Sequence, residues 1–182
     1  MLLWLFLVAI ASGAVYCDSC ESCSNVTEEI ILTQDIVASG DVCIDLKASK
    51  LDCNGHHIIG NNSSIGIYVP IDNTAISNCY VEGFQYGIYL NRSDNVYLTN
   101  NQVEGNEYGI YGEYADIYAF DNRVCFNNQW DFYSPTGWDT SNGTENQCDN
   151  ADGWSDYGFP NECTYYCSID DYQAPQVELI FP

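Results

Sequence analysis

Three columns of residues recur at a fixed spacing of 22 between Asp72 and Asn128: Asp72, Asp94 and Asp116; Ile76, Leu98 and Phe120; Asn78, Asn100 and Asn122. A second comb runs beside them, Gly66-Ile67-Tyr68, Gly87-Ile88-Tyr89 and Gly109-Ile110-Tyr111, at spacings of 21 and then 22. A period in this range specifies a solenoid, in which each repeat buries its apolar face only against its neighbours. Within a repeat apolar and polar residues alternate, as in Val96-Tyr97-Leu98-Thr99, and Gly, Asn and Asp break the runs. That is strand patterning with turn punctuation. Three short runs per repeat, for example Tyr86 to Leu90, Val96 to Asn100 and Asn101 to Glu104, predict three strands per coil and an all-β, right-handed parallel β-helix. The LxxLxL signature and helical segment of leucine-rich repeats are absent.

Equivalent residues of successive coils stack about 4.8 Å apart, so columns in sequence become ladders in space. Ile67, Ile88 and Ile110, and likewise Ile76, Leu98 and Phe120, are expected to point inward. Asn78, Asn100 and Asn122, begun by Asn54, are expected to form an Asn ladder whose amides bond along the stack.

Met1 to Ala14 is almost wholly apolar and ends in Ser12-Gly13-Ala14. It reads as a signal peptide cut after Ala14, shorter than the roughly 20 residues a spanning helix needs. A cut there leaves about 168 residues, enough for one core. Membrane attachment is then expected only through an uncleaved signal segment or a lost C-terminal region. The ten cysteines, Cys17, Cys20, Cys23, Cys43, Cys53, Cys79, Cys125, Cys148, Cys163 and Cys167, are an even number and are expected to be disulfide-bonded in an exported chain, with the pairing open. Sequons at Asn25, Asn61, Asn62, Asn91 and Asn142 fit a secreted or cell-surface glycoprotein. The formal charge of −22, with four Lys and Arg in all, argues against nucleic acid and anionic lipid as partners.

The succession ILTQDIVASGDVCIDLKASKLDCNGHHIIG, then IGIYV, then AISNCYVEGFQYGIYL, resembles the exported parallel β-helix repeat proteins of archaea and some bacteria, described as NosD-like or pectate-lyase-like. Beyond the coils, QCDNADGW and ECTYYCS resemble the cysteine-rich region that follows the helix in the archaeal members, over about Cys23 to Ser168 in all. The organisation expected is a signal peptide over 1–14, a Cys-rich leader over 15–29, the β-helix over 30–133, a disulfide-rich cap over 134–168, and a linker or the start of a further domain over 169–182.

Three sets of residues carry candidate chemistry. Asp72, Asp94 and Asp116, about 4.8 Å apart, would repel one another unless relieved, and oxygen-rich acidic clusters suit Ca²⁺; the competing reading is that each Asp begins the same turn. Glu82 and Glu104 form a shorter acidic column. Tyr68, Tyr89 and Tyr111, widened by Tyr86 and Tyr108, follow inward Ile residues and are expected outside, as a platform for sugar rings or as simple stacking. His56 and His57 are the only histidines and Met1 the only thioether, so the copper-related name of part of the family finds no soft-ligand cluster here. The function expected is a non-catalytic structural or carbohydrate-binding module for a polysaccharide or surface glycan. The alternative is a lyase, hydrolase or epimerase acting on acidic glycans with calcium.

Overall fold

The computed structural model describes residues 13–61 and 64–168. The signal peptide expected over 1–14 lies almost wholly outside the described residues, as do Asn62 and the segment 169–182. The chain begins with Val15–Cys17 (β1), one helical turn at Cys20–Cys23 (α1), Ile30–Leu32 (β2), Ile36–Val37 (β3), Val42–Asp45 (β4), Lys50–Asp52 (β5), His57–Ile59 (β6) and Ile65–Val69 (β7). It continues through Ala75–Ser77 (β8), Tyr80–Glu82 (β9), Tyr86–Asn91 (β10), Val96–Thr99 (β11), Gln102–Glu104 (β12) and Tyr108–Glu113 (β13). Ile117–Phe120 (β14), Arg123–Cys125 (β15), Trp130–Tyr133 (β16) and Asn142–Thr144 (β17) follow.

From β2 on, every third strand returns to the same parallel sheet. Sheet A is ordered β1-β2-β5-β8-β11-β14-β17, sheet B β3-β6-β9-β12-β15, and sheet C β4-β7-β10-β13-β16. This is a parallel β-helix of about five coils, right-handed as parallel crossovers are. The strands at the two ends, β1 in the cysteine-rich leader and β17 in the cap, belong to sheet A, and isolated parallel bridges carry sheets B and C into the cap through Gln147, Ala151 and Tyr165. Among the described residues no helix is long and apolar enough to cross a membrane.

The Gly-Ile-Tyr comb is in register as expected: Ile67, Ile88 and Ile110 pair in sequence, continue to Phe132, and are fully buried. The Ile76, Leu98, Phe120 ladder is corrected at its third rung. Leu98 pairs with Ala119, and Phe120 stands beside Thr99 and Thr144 on the outward side. The cause is one missing residue. Arg92 and Tyr114 both hold a left-handed turn, but four steps separate Arg92 from Val96 and three separate Tyr114 from its partner Ile117. Side chains alternate with period two, so a one-residue change exchanges inside for outside.

The same shift splits the expected Asn ladder in two. Asn54, Asn78, Asn100, Asp121 and Glu145 occupy a left-handed turn position, φ 52–60°, on the outside of the corner between sheets A and B. Asn122 does not stack on Asn100; it belongs to a buried ladder of Asn101, Asn122 and Asn146. Asn101 Nδ2 donates to Asn122 Oδ1 and Asn122 Nδ2 to Asn146 Oδ1, each at 3.0 Å, while each amide also donates to a carbonyl of the preceding coil. The Cys53–Cys79 disulfide takes the place of the ladder in the earlier coils, with the Cys79 N–H donating to Asn101 Oδ1. At the corner between sheets B and C, Asn106 and Asn127 form a second ladder.

Each ladder ends on a buried carboxylate in the last turns. Asn146 donates to Asp156, and Asn127 to Asp131. These carboxylates replace the next amide with an acceptor that needs no onward donor, so the stacks stop without an orphaned group. Burial pushes the Asp131 carboxyl above its usual range, against N–H donors from Asp149, Asn127 and Asn150. A carboxyl shifted this way contributes most below its unfolded value of about 3.8, and loses that contribution as pH rises through the folded value. The gap in urea midpoint between wild type and Asp131→Asn is therefore expected to be widest below the unfolded value of about 3.8 and to narrow as the pH rises above it. A gap that widened over this range would contradict the assignment.

All ten cysteines are bridged, Cys17–Cys23, Cys20–Cys43, Cys53–Cys79, Cys125–Cys167 and Cys148–Cys163. Cys17–Cys23 joins β1 to α1, Cys20–Cys43 fastens α1 to β4 of the first coil, Cys125–Cys167 ties the cap to β15, and Cys148–Cys163 closes a loop within the cap. Inside the cap Trp154 stacks on Phe132 at 4.6 Å and meets Trp138 edge-on at 5.5 Å, closing the end of the core.

Candidate functional site

Sheet C is the face where side chains gather. In the register of β7, β10, β13 and β16, Tyr68, Tyr89, Tyr111 and Tyr133 form one outward column, and Tyr86, Tyr108 and Trp130 a second. The five tyrosines expected from sequence are brought together. Tyr133 and Trp130 extend the strip, and sequence reasoning missed them although Trp130-Asp131-Phe132-Tyr133 keeps the aromatic, spacer, apolar, tyrosine order of Tyr108-Gly109-Ile110-Tyr111.

The rings pack on one another. Tyr86 stacks on Tyr108 at 5.3 Å, and Tyr89 meets Tyr111 edge-on at 4.9 Å and Tyr68 at 5.6 Å. Tyr133 closes the strip against Tyr111 at 5.5 Å and Trp130 at 6.1 Å. All seven rings are half-buried, so the strip presents ring edges and hydroxyls along with part of each face. Polar side chains border it: the Tyr89 hydroxyl donates to Glu113 Oε2, Asn91 Nδ2 donates to the Tyr68 oxygen, and the Tyr108 hydroxyl donates to Gln129 Oε1, each at 2.8 Å. Burial raises the Tyr86, Tyr89 and Tyr111 hydroxyls above the usual phenol range, and the bond to Glu113 adds to it at Tyr89. They stay protonated at neutral pH, and that of Tyr89 is the donor to Glu113.

The acidic columns are arranged differently from a metal cage. The Asp94 N–H donates to Asp72 Oδ1 of the preceding coil at 2.8 Å. Asp116 precedes Ile117 as Asn95 precedes Val96, one place out of line with Asp94, and its carboxylate accepts from the Thr140 hydroxyl. Glu82 and Glu104 are in register; Glu82 faces His57 Nδ1 at 3.2 Å, and Glu104 pairs with Arg123. Among the described residues no group of three or more His, Cys, Asp and Glu side chains is placed to hold a metal ion, so the expected calcium site has no ligand set there. Arg92 lies over the Tyr114 ring at 5.5 Å.

The family model described as periplasmic copper-binding protein (NosD) matches residues 13–153, which span every coil and both ladders. The chain belongs to the NosD family. No curated protein and no solved structure matches it. The copper named in the family description would need thiolate, thioether or imidazole donors in this NosD chain. All ten cysteines are consumed by disulfides, His56 Nδ1 faces Asp35 at 3.2 Å, and His57 faces Glu82 and stacks on Tyr80 at 4.6 Å. Two imidazoles turned to separate carboxylates, with no thiolate or thioether among the described residues, do not fit a copper site.

Proposed function

We propose that this NosD-family chain is an extracytoplasmic, non-catalytic β-helix module whose sheet C strip binds carbohydrate. The observation that carries the reading is the two-column strip of six tyrosines and one tryptophan with hydrogen-bonding side chains along its border. Aromatic rings supply apolar area for the C–H faces of a sugar, and hydroxyls and amides at the edge match its hydroxyl groups. The five disulfides support a site of action in an oxidising compartment, secreted or at the cell surface. The rigid sheet supports binding through a preformed surface.

The test is to incubate the oxidised protein with neutral and acidic polysaccharides, with calcium or with a chelator, and to measure bound protein and released or unsaturated products together. Binding without products is expected. Tyr89→Ala, which removes the central ring, is expected to weaken binding about tenfold, the equivalent of about 1.4 kcal/mol. Product formation would turn the assignment toward a lyase or hydrolase, and retention of full affinity by Tyr89→Ala and Tyr111→Ala alike would remove the strip from consideration.

A further inference from the structure

The aromatic strip on sheet C is framed by polar columns, and the register of the coils fixes what stands in each. Beside Tyr86, Tyr108 and Trp130 the preceding position holds Gln85, Glu107 and Gln129 in successive coils. On the other flank, two residues beyond Tyr89 and Tyr111, stand Asn91 and Glu113. The coil of β13 therefore differs from the one before it. It reads Glu107, Tyr108, Tyr111, Glu113 across the strip, a carboxylate on each flank of two rings, where β10 and its approach read Gln85, Tyr86, Tyr89, Asn91, with an amide on each flank.

Both carboxylates, half-buried, are bonded to the hydroxyl rim of the strip. Glu113 Oε2 accepts from the Tyr89 hydroxyl at 2.8 Å, and Glu107 Oε1 accepts from Gln129 Nε2, whose own Oε1 takes the Tyr108 hydroxyl. A carboxylate offers about four acceptor sites, and each of these has one side-chain donor among the described residues, so acceptor capacity remains on both flanks. Their charge is not balanced. The ion pairs of the described residues join Lys47 to Asp45, Lys50 to Glu29, Arg123 to Glu104 and the two histidines to Asp35 and Glu82; none includes Glu107 or Glu113. Arg92, next to Asn91, lies over the Tyr114 ring. The two fields meet at the strip: after burial and the Tyr108 neighbour, Glu107 and Glu113 are what raise the Tyr86 hydroxyl. Tyrosine rings with an unpaired carboxylate on each flank, in a chain of net charge −22, are complementary to a cationic ligand.

We propose that the glycan held by the strip is an amino-sugar chain, a hexosamine polymer with free, protonated amino groups that bond to Glu107 and Glu113 while its C–H faces rest on the tyrosines. This inference rests on the carbohydrate-binding reading above and names the class of sugar. An ammonium group brings three N–H donors, and its bonds to a carboxylate are about twice as strong as neutral ones. Gln85, Gln129 and Asn91, in the coils on either side, match the hydroxyls of the same chain. An acidic glycan meets two like charges on this face, and the cation at the Tyr68 end of the strip, Lys47, is already paired with Asp45.

The experiment is a calorimetric titration of the oxidised full chain with a glucosamine hexamer, with its N-acetylated counterpart chitohexaose, with cellohexaose and hexagalacturonate, and with hexalysine as a polycation without sugar rings. The first two share a skeleton and differ in the charge on nitrogen. The glucosamine hexamer is expected to bind about tenfold more tightly than chitohexaose, as two partly exposed ion pairs allow, and more tightly than hexalysine. Added salt is expected to shrink that advantage. Glu107→Gln and Glu113→Gln install the amide type found in the neighbouring coils; each is expected to lower the glucosamine-to-chitohexaose affinity ratio about threefold, and the pair about tenfold. Equal affinity for the two hexamers, an unchanged ratio in the double variant, or hexalysine binding as tightly as the glucosamine hexamer would each overturn the amino-sugar assignment. If chitohexaose or cellohexaose still binds and Tyr89→Ala weakens it, the strip stands as a carbohydrate site of another specificity. Binding of none of the sugars would overturn both readings.

Discussion

Asp156→Asn is expected to lower the unfolding free energy by about 3–5 kcal/mol, the range for breaking a buried, fully hydrogen-bonded charged group, measured by urea denaturation with the disulfides kept oxidised. Asp156 is 2 % exposed and accepts five hydrogen bonds. Oδ1 receives Asn146 Nδ2 at 2.7 Å and Trp154 Nε1 at 3.0 Å; Oδ2 receives the Asn146 N–H at 3.0 Å and the Thr164 N–H and hydroxyl, each at 2.8 Å. Asparagine has the same shape but turns one acceptor into a donor. Whichever way the amide is oriented, two or three buried donors face another N–H, and each donor left without an acceptor costs about 1–3 kcal/mol. The effect is expected to reach inward, because Asn146 is the last rung of the ladder through Asn122 and Asn101. Amide exchange is expected to rise at Asn122 and Asn146 and to stay slow at Ile67 and Ile88. A variant within about 1 kcal/mol of wild type, with unchanged exchange, would show that Asp156 is not the terminus of the ladder.

How much of this was legible in the sequence depends on which turn is considered. The three strands per coil, the buried Ile67, Ile88, Ile110 ladder and the outward tyrosines follow from Gly-Ile-Tyr, because the sheet C strand and its preceding Gly keep one length through three coils. The Asn and Asp columns were misread where turn length changes. The turn from Arg92 to Val96 is one residue longer than that from Tyr114 to Ile117, which sets Asp116 against Asn95 rather than Asp94, and an ungapped comparison of Asn-rich segments gives identical residues whether Asn122 is matched to Asn100 or to Asn101. Both readings look like a ladder on paper. The distinction is made by backbone conformation, left-handed at Asn100 and Asp121 and buried beside the core at Asn101 and Asn122.

The terminal carboxylates left no periodic trace. Asp131 stands where the Gly-Ile-Tyr comb would place another Gly, and Asp156 lies in a segment without period, gathering donors from Asn146, Trp154 and Thr164.

The repeated Gly of the comb yields the other large effect. Gly87→Val is expected to cost about 3 kcal/mol or more, at or beyond the upper end for overpacking a filled core. The reason is a backbone approach. Even a single Cβ at Gly87 would lie 2.7 Å from the Gly109 carbonyl oxygen, 2.7 Å from Val103 Cγ1 and 3.0 Å from Asn106 Nδ2. The same contact recurs along the column: a Cβ at Gly66 would meet the Gly87 oxygen at 2.6 Å, and one at Gly109 the Asp131 oxygen at 2.7 Å. A flexible side chain can yield to such a contact, but a carbonyl fixed in the parallel ladder moves only if two coils part. That separation would also stretch the Asn106–Asn127 amide stack, which sits in the space the missing side chains leave. Gly105 provides the comparison: it is exposed at φ 66°, and a Cβ there would meet nothing within 4 Å. Gly105→Asn, which tolerates the left-handed region, is expected to fall within about 0.5 kcal/mol of wild type, as exposed positions do. Comparable urea midpoints for Gly87→Val and Gly105→Asn would mean that the comb does not mark the closest approach between coils.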